Sequence, residues 1–278
     1  MNRATAAGGG AIALWSVLAP LTVSAARVPP LELTALGFAV SAVLGLVWLA
    51  VTRRLGVLRQ RPLAWLHGVG GLFGFHALYF AALARAPAAE ANLIDYLWPL
   101  LIVLLSGTLL GLRLRAGHLV GTVLALGGCA LLLGANASMS ARYLPGYGLA
   151  LLSAMTWAFY SVWSRRFSDV PTAALVGFCG ASGVLAALAH LALEPTVVPD
   201  TATAFAILAL GLGPMGGAFF LWDIGMKHGD PRLLGTLAYA TPIVSTILLC
   251  VAGYAEFTVW MVAAALLVAA GGLMAARA

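Results

Sequence analysis

Charge is what this sequence has least of. Asp, Glu, Lys and Arg make up 9% of its 278 residues, where a soluble domain averages about one quarter. With 62% hydrophobic residues and a mean hydropathy of +1.01, a water-soluble fold has too little interior to hide the apolar surface, so the solvent must be lipid. The net charge of +6 comes from short basic clusters between apolar runs, which excludes a nucleic-acid partner. Cysteine is scarce too. Cys129, Cys179 and Cys250 lie in apolar runs without metal-ligand spacing, which excludes a disulfide framework or a thiolate metal site. No HExxH string is present, so zinc-peptidase chemistry has no ligand set. Nothing in the sequence asks for a metal or a cofactor.

Apolar runs are abundant. Ten reach the roughly 20 residues that cross a hydrocarbon core, at roughly 8–26, 31–52, 64–84, 89–111, 117–135, 144–164, 171–193, 202–226, 231–253 and 257–276. They are too long and continuous for barrel strands, so the sequence predicts an all-α integral membrane protein with ten transmembrane helices. The first run follows Arg3 and ends in "VSAAR", as a cleavable signal peptide would. It has a counterpart deep in the chain, so it is read as a helix. Twelve of the fifteen basic residues fall in alternate loops on one side, and only Arg27, Arg85 and Arg142 fall on the other. The positive-inside rule then predicts both termini in the cytoplasm.

The chain is also built twice. With Pro99 set against Pro242, an offset of 143, Tyr96 falls on Tyr239, Gly70 on Gly213 and Gly74 on Gly217, while Trp15 meets Trp157 at 142. Two five-helix units are predicted, at residues 1–140 and 141–278. Five is odd, so the second enters the membrane from the opposite side. Inverted repeats of this kind are found in transporters that alternate access around a central site. The glycine pairs Gly70/Gly74 and Gly213/Gly217 are read as close-packing faces.

Three ionisable residues are predicted inside spans: His76, Asp95 and Asp223. Such residues usually face a bundle interior or a wet cavity. The plainer alternatives are a backbone-bonded histidine and aspartates paired with neighbours such as Arg85 or Lys227. Trp15, Tyr79, Tyr96, Trp98, Trp157, Tyr160 and Tyr239 also fall within spans. Trp15 and Trp157 lie too far from the helix ends for interfacial belts. Trp157 and Tyr160 share a helix face, as do Asn92 and Tyr96. Pro99 and Pro242 are expected to bend helices four and nine. On a straight helix Tyr96 and Trp98 point about 200° apart. The repeated Tyr96 is therefore favoured as cavity-facing, and Trp98 as packing.

The strings "DYLWP" (95–99), "WAFY" (157–160) and "WDIGMKHGD" (222–230), on ten helices in two inverted repeats, resemble the EamA type of the drug/metabolite transporter superfamily. Within it they are most similar to the YddG-type aromatic amino acid exporters, whose string has Asn where this chain has Asp95. The resemblance spans nearly the whole chain. It implies a cavity lined by helices one, three, four, six, eight and nine, and a bacterial-type inner membrane. The expected function is export of aromatic and other bulky amino acids or related metabolites by alternating access. The expected site comprises Trp15, His76, Tyr79, Asn92, Asp95, Tyr96, Trp157, Tyr160 and Tyr239, with a small-molecule cargo, the lipid bilayer around it and no nucleic acid. No Lys or Arg lies mid-span, which argues against the phosphorylated cargoes of sister families. The first span lacks the Glu of the small multidrug relatives. Export of drugs or purines is the alternative, and a channel is a weaker one. An intramembrane aspartyl protease is disfavoured because Asp95 and Asp223 lie near opposite faces. No catalytic residue is expected.

Overall fold

In a computed structural model the protein is described over residues 2–133 and 139–278; residues 134 and 135, expected to end the fifth span, lie outside the described residues. The described residues are helical, with no strand among them. The helices are α1 (Arg3–Ser16), α2 (Leu18–Ser24), α3 (Pro30–Val51), α4 (Pro62–Leu83), α5 (Ala88–Asp95), α6 (Trp98–Leu110), α7 (Ala116–Leu133), α8 (Leu144–Trp163), α9 (Leu175–Leu193), α10 (Thr201–Leu212), α11 (Ala218–His228), α12 (Pro231–Ala238), α13 (Ala240–Val251) and α14 (Val259–Arg277). Nine stretches of the described residues are long and apolar enough to cross a membrane. The remaining expected span, the sixth, is α8, which has 20 residues but is not among the nine. Its Pro, Gly, Ser and Thr content lowers its hydropathy.

Prolines explain the broken helices. A proline at position i cannot bond the carbonyl at i−4, and its ring pushes that carbonyl aside. Pro20, Pro99 and Pro242 each have a break three residues earlier, at Val17, at Tyr96–Leu97 and at Tyr239. The breaks at Tyr96 and Tyr239 fall at equivalent points of the two repeats. Pro214 instead opens one turn of π-helix, Gly213–Gly217, between α10 and α11. Gly213 and Gly217 bracket that turn. A methyl added at Gly70, which was expected to pack, would meet nothing within 4 Å, and one at Gly74 would meet only the Thr156 methyl. The glycines that admit neighbours on α4 are Gly68, under the Phe178 ring, and Gly71, under Tyr160.

The loops gather at two ends. Arg61 bonds Asp169, Arg165 bonds the Gly229 carbonyl, and Arg232 bonds that of Arg113. These contacts form a basic end. At the other end Glu194 accepts from the first amides of α3, and Val197 donates to Glu32. The main packing pairs join the halves: α7 with α14, α3 with α9, α1 with α11 and α4 with α8. Exchanging the repeats maps the last two pairs onto each other and returns the first two to themselves. In the α7–α14 pair the backbones nearly touch, since a methyl on Gly121 would lie 2.5 Å from the Gly271 carbonyl oxygen.

Candidate functional site

Large rings meet where the repeats join. Trp15 on α1 lies 5.7 Å from Trp157 on α8, 6.4 Å from Trp98 on α6, and 5.9 and 5.1 Å from Phe219 and Trp222 on α11. Buried indoles need partners for their N–H groups, and two have them in the scaffold. Trp15 donates to the Pro214 carbonyl in the π-turn at 3.0 Å, and Trp222 to the Ser161 hydroxyl at 3.0 Å. The rings are therefore held in fixed orientations.

Trp98, favoured as packing, is buried and joins this cluster. The 200° separation from Tyr96 holds for a straight helix, and this helix breaks between the two residues. Tyr96 instead lies against a second apolar cluster with Tyr239, Cys129 and Val268. Tyr239 is fully buried, and its hydroxyl accepts from the Leu100 amide at 3.2 Å. It braces the first turn of α6, where Pro99 supplies no N–H.

On α4, His76 places Nδ1 2.7 Å from the Leu72 carbonyl oxygen. A carbonyl only accepts, so Nδ1 carries a proton. The ring packs among Phe38, Phe75, Phe80 and Phe219. Tyr79 stacks on Phe75 and donates to the Asn92 side-chain oxygen. Asp95 is buried and accepts from the Ser153 hydroxyl, tying α5 to α8. Its expected alternative partner, Arg85, turns to the Ala81 carbonyl. Tyr160 is buried below Trp157 toward the basic end, stacked on His67 at 4.9 Å. Asp223 pairs with Lys227.

The structure thus gathers Trp15 and Trp157 at the cluster, with His76, Tyr79 and Asn92 beside them. Asp95, Tyr96 and Tyr160 lie at its edges, and Tyr239 lies apart. It adds Phe38, Phe75, Trp98, Phe219 and Trp222. Phe219 and Trp222 were accessible from the repeat, because the offset of 143 sets them against His76 and Tyr79. Phe38 and Phe75 carry no such signal.

The equivalent helices differ in packing. On α4 every residue from Phe73 to Ala81 keeps partial exposure, including His76 and Tyr79, which face the cluster. On α11 the counterparts Phe219 and Trp222, with Asp223, Met226 and Lys227 beyond them, are buried. The cluster is covered more completely toward the basic end than toward the opposite end.

Two interlocked helical repeats, broken near a ring-lined site, define a multi-pass membrane transporter. The chain matches the EamA-like transporter family over residues 6–134 and again over 144–277, and it belongs to that family. It is 50% identical to the aromatic amino acid exporter YddG of Ancylobacter novellus, over 99% of this chain and 97% of that one. It is 26% identical to the exporter of the same name from Salmonella typhimurium, over 98% of this chain and 96% of that one. A solved structure described only as a protein crystal structure superposes with a TM-score of 0.95 at 49% identity, covering 99% of this chain and 96% of the other.

Proposed function

We propose that the protein exports aromatic and other bulky apolar amino acids, or close metabolites, by alternating access. The observation that carries this reading is the Trp15–Trp98–Trp157–Phe219–Trp222 cluster, built by both repeats. A cargo ring stacks against such walls, and its ammonium is attracted to an indole face. The names of the relatives support the same cargo. Trp15, His76, Tyr79, Asn92 and Trp157 are its contacts in this reading, with Asp95, Tyr96 and Tyr160 at the margin, while Tyr239 acts through the helix break. His76, protonated at Nδ1, offers Nε2 as an acceptor for the ammonium. The units 1–140 and 141–278 rock about this site. The protein is a carrier in the bacterial inner membrane and not an enzyme. By the positive-inside rule the basic end and both termini are cytoplasmic, so the less covered end of the cluster faces outward.

The test is uptake of labelled phenylalanine or tryptophan into liposomes holding the purified protein. A saturable curve, inhibited by the unlabelled amino acid, is expected. A linear curve would indicate a channel. Absence of uptake above empty liposomes for every aromatic amino acid would refute the cargo and favour a drug or purine exporter.

A further inference from the structure

The basic end holds a charge pair that the repeat does not require. Asp223 and Lys227 are buried on α11, with Nζ 2.8 Å from Oδ2. Their counterparts at the same offset of 143 are Phe80 on α4 and Ala84 just after its end. The scaffold therefore builds the equivalent position without charge. A buried ion pair is weak grounds for stability, since desolvation offsets the attraction, and ionisable residues in a membrane bundle mark cargo pathways.

The pair's other partners lie on another element. Thr172 Oγ1 donates to Asp223 Oδ2 at 2.6 Å, and Lys227 Nζ donates to the Val170 carbonyl at 2.9 Å. Both bonds fall on the connection between α8 and α9, so the pair ties that loop across the basic end. Beside it is a small cavity of about 10 Å³, room for about one water. Asp223, Lys227, His67, Tyr160, Ser164 and Phe167 are among its lining residues. Here the His67 ring stacks between Phe167 at 4.5 Å and Tyr160 at 4.9 Å. Trp222, the next residue in the chain from Asp223, is already part of the central cluster. Tyr160, which lines this cavity, lies 5.3 Å from Trp157 of the central cluster.

We propose that Asp223 and Lys227 form a loading site for the α-ammonium and α-carboxylate of the cargo, and that its arrival releases the 170–172 loop. This rests on the amino acid cargo proposed above. The cargo ammonium bonds Asp223 in place of Thr172, and the cargo carboxylate bonds Lys227 in place of the Val170 carbonyl. Each buried charge keeps a charged partner throughout, so the exchange avoids the cost of an unpaired one. The loop loses both ties and the end opens, with Tyr160 and Phe167 receiving the side chain.

The test compares phenylalanine, phenethylamine and 3-phenylpropionate at the cytoplasmic face of oriented liposomes. Wild type should prefer phenylalanine to both. Asp223→Asn should remove the preference over 3-phenylpropionate, which lacks the ammonium. Lys227→Gln should remove the preference over phenethylamine, which lacks the carboxylate. Each should raise the phenylalanine KM about tenfold or more, the loss of one hydrogen bond to a charged group. Equal loss for all three compounds, or a fall in thermal stability with preferences unchanged, would overturn the loading site. A second measurement needs no cargo. Ser164→Cys, in a background lacking native cysteines, should react slowly with an impermeant maleimide at the cytoplasmic face, and several-fold faster when Thr172→Val is added. An unchanged rate would overturn the latch. If wild type carries no amino acid, the cargo reading fails while this labelling still decides the latch.

Discussion

Replacing Tyr239 with Phe separates a brace from a cargo contact. The residue is fully buried, and its hydroxyl accepts the Leu100 amide 139 residues away in sequence. Tyr239→Phe keeps the ring and removes that acceptor. A buried donor left without a partner costs about 1–3 kcal/mol. Side-chain hydrogen bonds in membrane proteins average about 0.6 kcal/mol and reach about 1.7. At 3.2 Å this bond is at the long end of the N–H···O range, so a loss of about 1 kcal/mol is expected. For a chain of this size that is a fall of about 2–4 °C in the unfolding midpoint, readable by thermal shift in detergent. The phenylalanine KM, measured in liposomes on the same preparation, should stay within about twofold, since about 0.4 kcal/mol is all a twofold change represents. A tenfold rise in KM with an unchanged midpoint would refute the reasoning and place the hydroxyl on the cargo.

Trp15→Phe keeps a ring but loses the indole N–H that holds the Pro214 carbonyl. It should weaken phenylalanine transport by about 1 kcal/mol, or roughly fivefold in KM, with surface expression unchanged. Gly121→Ala would drive a methyl into the Gly271 carbonyl and the Ala275 amide, neither of which can swing aside, and should cost about 1–3 kcal/mol in unfolding measurements. Gly127→Ala, with nothing within 4 Å of the new carbon, should be neutral or stabilising by up to about 1 kcal/mol. With native cysteines removed, a single cysteine near Arg142 should react with an impermeant thiol reagent on intact cells, and one near Arg59 should not.

The spans were legible because hydrocarbon thickness sets their length and lipid forbids internal charge. Their observed ends, such as Pro62–Leu83 against the expected 64–84, differ by about a turn or less at most boundaries. The first span differs more, because the helix starts at Arg3, upstream of residue 8, where the Asn2 side chain caps it by accepting from the Thr5 amide. The breaks were half legible. Proline chemistry marks where a hydrogen bond is lost, but whether the chain answers with a kink or with the π-turn at Gly213–Gly217 depends on its neighbours. Trp15 and Trp157, doubled by the repeat, meet in the structure. That Trp98 meets them was not legible, because a straight-helix wheel assigns directions that a broken helix does not keep.

The sequence by itself determined the solvent, the helices, their repeat and the basic asymmetry between the two sides, since each follows from local composition and from periodicity along the chain. Only the tertiary structure decided that Trp98 joins the rings while Tyr239 leaves them, that Tyr160 drops toward the basic end, and that Asp223 and Lys227 grip the Val170–Thr172 loop. These are contacts between residues 50 or more positions apart. They depend on the angle through which each broken helix turns and on which neighbour fills the space, and both are set by packing of the whole bundle.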